Sequence, residues 1–133
     1  MAAATSPLEL DKIDEAYRTA LGEGRLLLQA CACGQRWLPP RLACSACLAS
    51  NWQWHAADGG GHLKSWVVYH VAFHEDFRDR LPYNVALVQL DEGPSLITNI
   101  LADNALLRAD ARVRFVPSLE GERTLARFEL VSE

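Results

Sequence analysis

All four cysteines of the chain, Cys31, Cys33, Cys44 and Cys47, fall within 17 residues, and no other feature narrows the possible folds as much. They form two pairs, with ten residues between Cys33 and Cys44. Zinc takes four soft ligands in a tetrahedron, and paired thiolates on tight turns supply them; Gly34, directly after Cys33, suits such a turn. The second pair has the common C-x-x-C spacing, whereas the first is C-x-C, so Cys31 is the ligand that the spacing supports least. The competing readings are disulfides, disfavoured in a reducing cytosol, and buried free thiols, disfavoured because the cysteines cluster. A redox role would need a helix N-terminus to activate a thiol, and the neighbouring prolines and strands do not promise one. Four thiolates leave no open coordination position, so the expected zinc is structural.

The rest of the chain divides around this cluster. Ser6-Pro7-Leu8-Glu9 predicts a helix start, with Ser6 as cap, Pro7 at the first helical position and Glu9 closing a capping box. The six residues up to Ser6 are expected to fray. Ile13, Ala16, Tyr17, Ala20 and Leu21 recur with helical period, and Gly22 and Gly24 supply the stop. Arg25 to Gln29 reads as a short strand leading into the first knuckle. Trp52 and Trp54 alternate with polar neighbours as in a strand, and Gly59-Gly60-Gly61 ends that run.

Beyond the glycines five apolar runs predict strands: His62 to Phe73, Tyr83 to Asp91, Ser95 to Leu101, Arg112 to Val116 and Thr124 to Val131. Around the link Ala102 to Ala111, Leu101 just before it and Ala105 and Leu106 within it stand at helical spacing. Five strands with one helical interruption outline an oligonucleotide/oligosaccharide-binding (OB) barrel, or another small barrel of the same count. The expected fold is mainly β: an N-terminal helix over residues 1–24, a zinc ribbon over 25–58 and the barrel over 59–133. With 133 residues, there is no room for a large multi-domain enzyme.

Charge and hydropathy narrow the function. The net charge of -4, from 13 basic and 17 acidic residues, argues against a broad basic surface for nucleic acid. Yet Gly24 to Ala57 holds Arg25, Arg36 and Arg41 and no acid, a locally cationic stretch. The longest apolar runs, Trp66 to Tyr69 and Val85 to Val88, are far shorter than the ~20 residues that span a bilayer. The N-terminus has no signal-peptide pattern, so a cytoplasmic protein with no membrane partner is expected. His70 sits among apolar neighbours, and His74-Glu75-Asp76 opens a charged loop. No Ser, His and Asp combination suggests nucleophilic catalysis, and no intrinsic active site is expected.

In the order Tyr17 to Gln29, Cys33-Gly34, Pro39-Pro40-Arg41, Cys44 and Cys47, Gly59 to Gly61, Ser65-Trp66, Pro82-Tyr83 and Leu87 to Gly93, the chain resembles the zinc-ribbon/OB-fold family of small acyl-CoA-associated proteins. The likeness runs from about residue 15 to about residue 130; its departure is Cys31, with Ala30 standing where the family's C-x-x-C places a ligand. The resemblance implies a rubredoxin-like ribbon with a lead-in helix, joined to an OB barrel. It also implies a non-catalytic subunit that associates with a thiolase-fold enzyme or aldolase and helps present a CoA thioester. Lipid and steroid side-chain degradation, aromatic catabolism and mevalonate-type condensations are the settings it implies. For the CoA phosphates, Arg25, Arg36 and Arg41 are the candidate donors, and Trp37 and Trp66 the candidate apolar walls. Equally, the tryptophans suit core or interface anchors. The alternative from another class is a single-stranded nucleic-acid module, weakened because His62 to Phe73 sets Trp66, Tyr69 and Phe73 beside Lys64 alone. A stand-alone enzyme acting on acyl thioesters is the third.

Overall fold

The fold is that of a computed structural model, which describes residues 7–38, 40–70 and 82–131, with side chains from Leu10 onward. The Ser6 cap, Pro39, Phe73 and the His74-Glu75-Asp76 loop lie outside the described residues. Helix α1 runs Pro7–Gly22. Its end follows from Gly24, at φ +85°: Arg25 N–H reaches back to Ala20 O at 2.8 Å and Gly24 N–H to Leu21 O at 2.9 Å. That is the paired bonding of a Schellman stop. Of the predicted stripe, Ala20 and Leu21 are buried and Tyr17 half-buried, while Ala16 is exposed, so mainly the C-terminal half of the helix packs.

Three short strands follow, β1 (Leu27–Ala30), β2 (Arg36–Trp37) and β3 (Gln53–Ala56). They form an antiparallel sheet in the order β2-β1-β3. Alternation along β1 decides how the ribbon attaches. Leu26 and Leu28 enter one continuous core with Leu63, Val88, Val113 and Phe128 of the barrel. Gln29 points its side chain to the loop between the knuckles. Among the described residues the ribbon's own cluster holds Cys31, Trp37 and Cys44, with Ala49 and Trp52 against it.

The barrel strands are β4 (Gly60–Tyr69), β5 (Tyr83–Leu90), β6 (Ser95–Thr98), β7 (Arg112–Glu120) and β8 (Arg123–Leu130). Their order is β6-β5-β4-β7-β8. The open edges meet in parallel at Ile100 and Phe128, with Leu101 N–H on Phe128 O at 2.8 Å and the Thr98 hydroxyl on Ala126 O at 2.7 Å. This is the partly open Greek-key barrel of the OB fold. A bulge at Lys64 separates the pairs Leu63↔Val88 and Ser65↔Leu87, so an odd residue resets which side chains face inward.

The strand bounds differ from expectation chiefly in β7. It does not stop at Val116 but runs through Pro117 to Glu120, because β8 pairs with every residue out to Glu120↔Arg123. Gly121, at φ +66°, makes the turn. Phe115 N–H bonds Gly59 O, so by alternation the nitrogen of Pro117 points out of the ladder, where a missing N–H costs nothing. β6 ends at Thr98 rather than Leu101, and the predicted helical link is a single 3-10 turn, Asn104–Leu106.

The three glycines form a tight junction. Gly59 has φ +93°. A Cβ on Gly61 would lie 2.6 Å from Gln89 O, and one on Gly60 2.7 Å from both the Arg112 guanidinium and the Asp91 carboxylate. Asp58 N–H bonds the Glu92 carboxylate at 2.8 Å, a link from ribbon to barrel, while Ala57 N–H bonds Leu26 O at 2.9 Å and extends the ribbon's own β1–β3 pairing.

Candidate metal centre and outer sheet face

The first knuckle closes when Gly34, at φ +99°, turns its N–H onto Cys31 O at 2.9 Å, while Cys31 N–H bonds Gln35 O at 2.9 Å. In the second, Leu48 N–H returns to Cys44 O at 2.8 Å, with Leu48 itself at φ 64°. Turned this way, the four sulfurs converge, all within 4.8 Å of one another. Cys31 Sγ lies 3.4 Å from Cys47 Sγ and Cys33 Sγ 3.6 Å from Cys44 Sγ. Thiolates around zinc at about 2.3 Å sit about 3.8 Å apart, whereas a disulfide needs ~2.05 Å. The cluster therefore suits a structural zinc, and the short C-x-C spacing does not keep Cys31 away from it.

At Cys44 the electrostatics favour the thiolate. Burial works to raise the Cys44 thiol, but N–H donors from Cys47 and Ala46, with the sulfurs of Cys33 and Cys47, outweigh it and bring its pKa down to about 7. Metal ligation needs the thiolate. At Cys33 the backbone N–H of Gln35 works to lower the pKa, yet the neighbouring thiols of Cys31 and Cys44 prevail and raise it. Cys31 and Cys44 are buried and Cys33 and Cys47 exposed, so two ligands face the protein and two the solvent.

Two side chains brace the knuckles. Trp52 Nε1 donates to Leu42 O at 2.9 Å and packs edge-on against Trp54, ring centroids 5.1 Å apart. Gln29, fully buried, bonds Trp37 and the backbone of Arg41. Sequence reasoning passed over Gln29, which looks like the polar end of an apolar strand.

The residues proposed for CoA do not form one group. Arg36 on β2, buried Trp37 and Arg41 belong to the ribbon. Arg25 lies at the helix exit, 2.5 Å from Glu23, and Trp66 packs half-buried against the barrel core. Among the described residues Arg36 and Arg41 make no ion pair. A cleft of about 410 Å³ opens instead where Tyr83, Asn84, Asn99, Asn104, Glu120 and Arg127 meet. Asn84 organises it, donating to Ile100 O at 3.0 Å and Asn104 Oδ1 at 2.9 Å and accepting from Ile100 N–H at 2.7 Å.

Outside the barrel two faces differ in kind. On β7 and β8, Arg114 pairs with Glu129 at 2.8 Å and Arg127 with Glu120 at 2.9 Å. On β4, β5 and β6, the registers Val67↔Val85, Ser65↔Leu87 and Leu87↔Ile97 assemble, among the described residues, an uncharged outer patch that ends on β4 at Lys64 and His62. Val67 is 53% and Ile97 69% exposed, and Tyr69 stacks on Tyr83 at its end, ring centroids 5.3 Å apart.

Comparison with known proteins gives two adjoining family matches. A family model described as the rubredoxin-like zinc ribbon domain of ChsH2 matches residues 18–53, and one described as the C-terminal OB-fold domain of ChsH2 matches residues 54–116. The chain belongs to the ChsH2 family. The expected fold and family resemblance therefore stand. A solved structure described as an Ltp2-ChsH2(DUF35) aldolase superposes with a TM-score of 0.79 at 29% identity, covering 97% of this chain and 98% of that one. A DUF35-family protein of unknown function from Sulfolobus solfataricus shares the fold, with a TM-score of 0.63 at 14% identity over 96% of this chain and all of that one. A protein of Thermomonospora curvata named as a probable enoyl-CoA hydratase alpha subunit is 39% identical over 83 residues, 62% of this chain. The matched region spans a quarter of that relative's length. Among the described residues, no helix is long and apolar enough to cross a membrane.

Proposed function

We propose that this ChsH2-family chain is a non-catalytic cytoplasmic subunit that docks on a thiolase-fold catalytic subunit and helps it hold an acyl-CoA, with a structural zinc on Cys31, Cys33, Cys44 and Cys47. The observation that carries the docking is the uncharged patch of Val67, Val85, Leu87 and Ile97 on the outer face of β4 to β6. Large exposed apolar patches mark interaction sites, and on β7 and β8 of the same barrel the Arg114–Glu129 pair sets charge where this patch has none. That a structural relative matched along 98% of its solved chain is described as an aldolase with two named components supports a catalytic partner subunit. Arg36 and Arg41, exposed and without an ion pair among the described residues, remain the donors proposed for the CoA phosphates.

Co-expression with a thiolase-fold subunit encoded beside it tests the reading. Wild type is expected to co-purify in a fixed ratio, and Val67→Asp with Ile97→Asp to separate while keeping its zinc. Wild type that stays apart at micromolar concentration overturns the proposal. The isolated chain is expected not to hydrate an enoyl-CoA, the activity in the name of the Thermomonospora curvata relative; turnover by the isolated chain would favour an enzyme instead.

A further inference from the structure

Gln29 is wholly buried in a strand flanked by Leu26, Leu27 and Leu28. A buried amide is tolerated only where its hydrogen bonds are made, and here they are made to one purpose. Its Oε1 accepts from Trp37 Nε1 at 2.6 Å and from Arg41 N–H at 2.7 Å, and its Nε2 donates to Arg41 O at 2.7 Å. Both backbone groups of Arg41 are thus held as a neighbouring strand would hold them, by a side chain.

The positions of these partners matter. Gln29 lies two residues before Cys31, Trp37 four after Cys33, and Arg41 three before Cys44. One amide therefore ties together the three chain segments that lead into and out of the two knuckles, and Trp37 packs directly against Cys31 and Cys44. From this juxtaposition we infer that Gln29 is a positioning residue for the metal: it holds the two knuckles at ligand distance before the ion arrives. The inference rests on the proposed zinc site. Groups that hydrogen-bond a metal's ligands typically change affinity by about 10–100-fold when removed; Gln29 acts one step further back, through Trp37 and Arg41, and without it the ion must also order the loop.

The test uses the whole purified chain and Zn2+ alone, titrated against a competing chelator, with Co2+ substitution to report the thiolate geometry by its absorption. Gln29→Met keeps the length and removes all three bonds; the expected result is a loss of about 10–100-fold in affinity with an unchanged four-thiolate Co2+ spectrum. Gln29→Glu keeps the oxygen that accepts from Trp37 and Arg41 but sets an oxygen in place of the donor against Arg41 O, and serves if the Met variant does not fold; its affinity is expected to fall below wild type. Thr98→Val is the control: it removes the hydrogen bond to Ala126 O at the barrel seam and is expected to lower the melting temperature without moving metal affinity. Wild-type affinity in Gln29→Met, or in Gln29→Glu where the Met variant does not fold, overturns the inference while leaving the zinc site intact. Equal losses in Gln29→Met and Thr98→Val also overturn it, since affinity would then follow global stability alone. Wild type that takes up no metal ends the zinc reading itself and the inference with it.

Discussion

The ribbon and the barrel sit in one chain but are held by different forces. The barrel buries Leu63, Val88, Val113 and Phe128 to completion, each at 0% exposure, and its stability is that of removed apolar surface. The ribbon's own cluster, two thiols and Trp37 with two partly buried neighbours, is too small for that. It relies on convergent sulfurs, on a buried amide and on lending Leu26 and Leu28 to the barrel. The lesson is that a module without a core of its own can be fixed at one end by its neighbour's core and at the other by an ion.

The sharpest way to break this comparison is to strip metal. With a strong chelator, amide exchange across β1 to β3 is expected to lose most of its protection near the knuckles while β4 to β8 keep theirs; equal loss in both regions would show that the two are one cooperative unit. Phe128→Ala works from the other side. It should cost about 3–5 kcal/mol in urea unfolding and lower both regions together, because Leu26 and Leu28 share its core.

Gly61→Ala probes the junction. Its new Cβ meets a backbone oxygen that cannot swing away, and overpacking of this kind costs about 1–3 kcal/mol, while zinc content is expected to stay at the wild-type level. The smallest effect belongs to the Asp91–Arg112 pair, two contacts at 2.7 and 2.9 Å on the partly exposed rim. The hydrogen bond from Arg112 holds the Asp91 carboxyl below its ordinary range. A depressed carboxylate contributes stability above its unfolded-state pKa and loses it as pH falls through the folded-state value. Asp91→Asn should therefore flatten the acid limb of a melting-temperature profile slightly, and less so in high salt.

Much of the architecture is legible in local patterns. The Gly24 stop, the knuckle turn at Gly34 and the break at Gly121 are set by backbone freedom that only a few residues supply, and all three are visible as letters. The bounds of β7 were not, because Pro117 reads as a breaker until β8 shows that its nitrogen faces away from the ladder. The stripe on α1 was half right for a similar reason: Ala16 has the correct period but no neighbour to cover it.

The site divides the same way. Cysteine is the ligand by its chemistry, so the sequence alone named Cys31, Cys33, Cys44 and Cys47 as one group and placed them in a mainly β chain of this family. Only the tertiary structure decided that Gln29 braces them, since its partners lie 8 and 12 positions away and no periodicity links them. It also decided where the uncharged patch of the barrel lies. The odd residue at Lys64 switches the parity of β4, turning Trp66 inward and Val67 outward, and a two-residue alternation cannot reveal such a switch until the partner strand fixes the register.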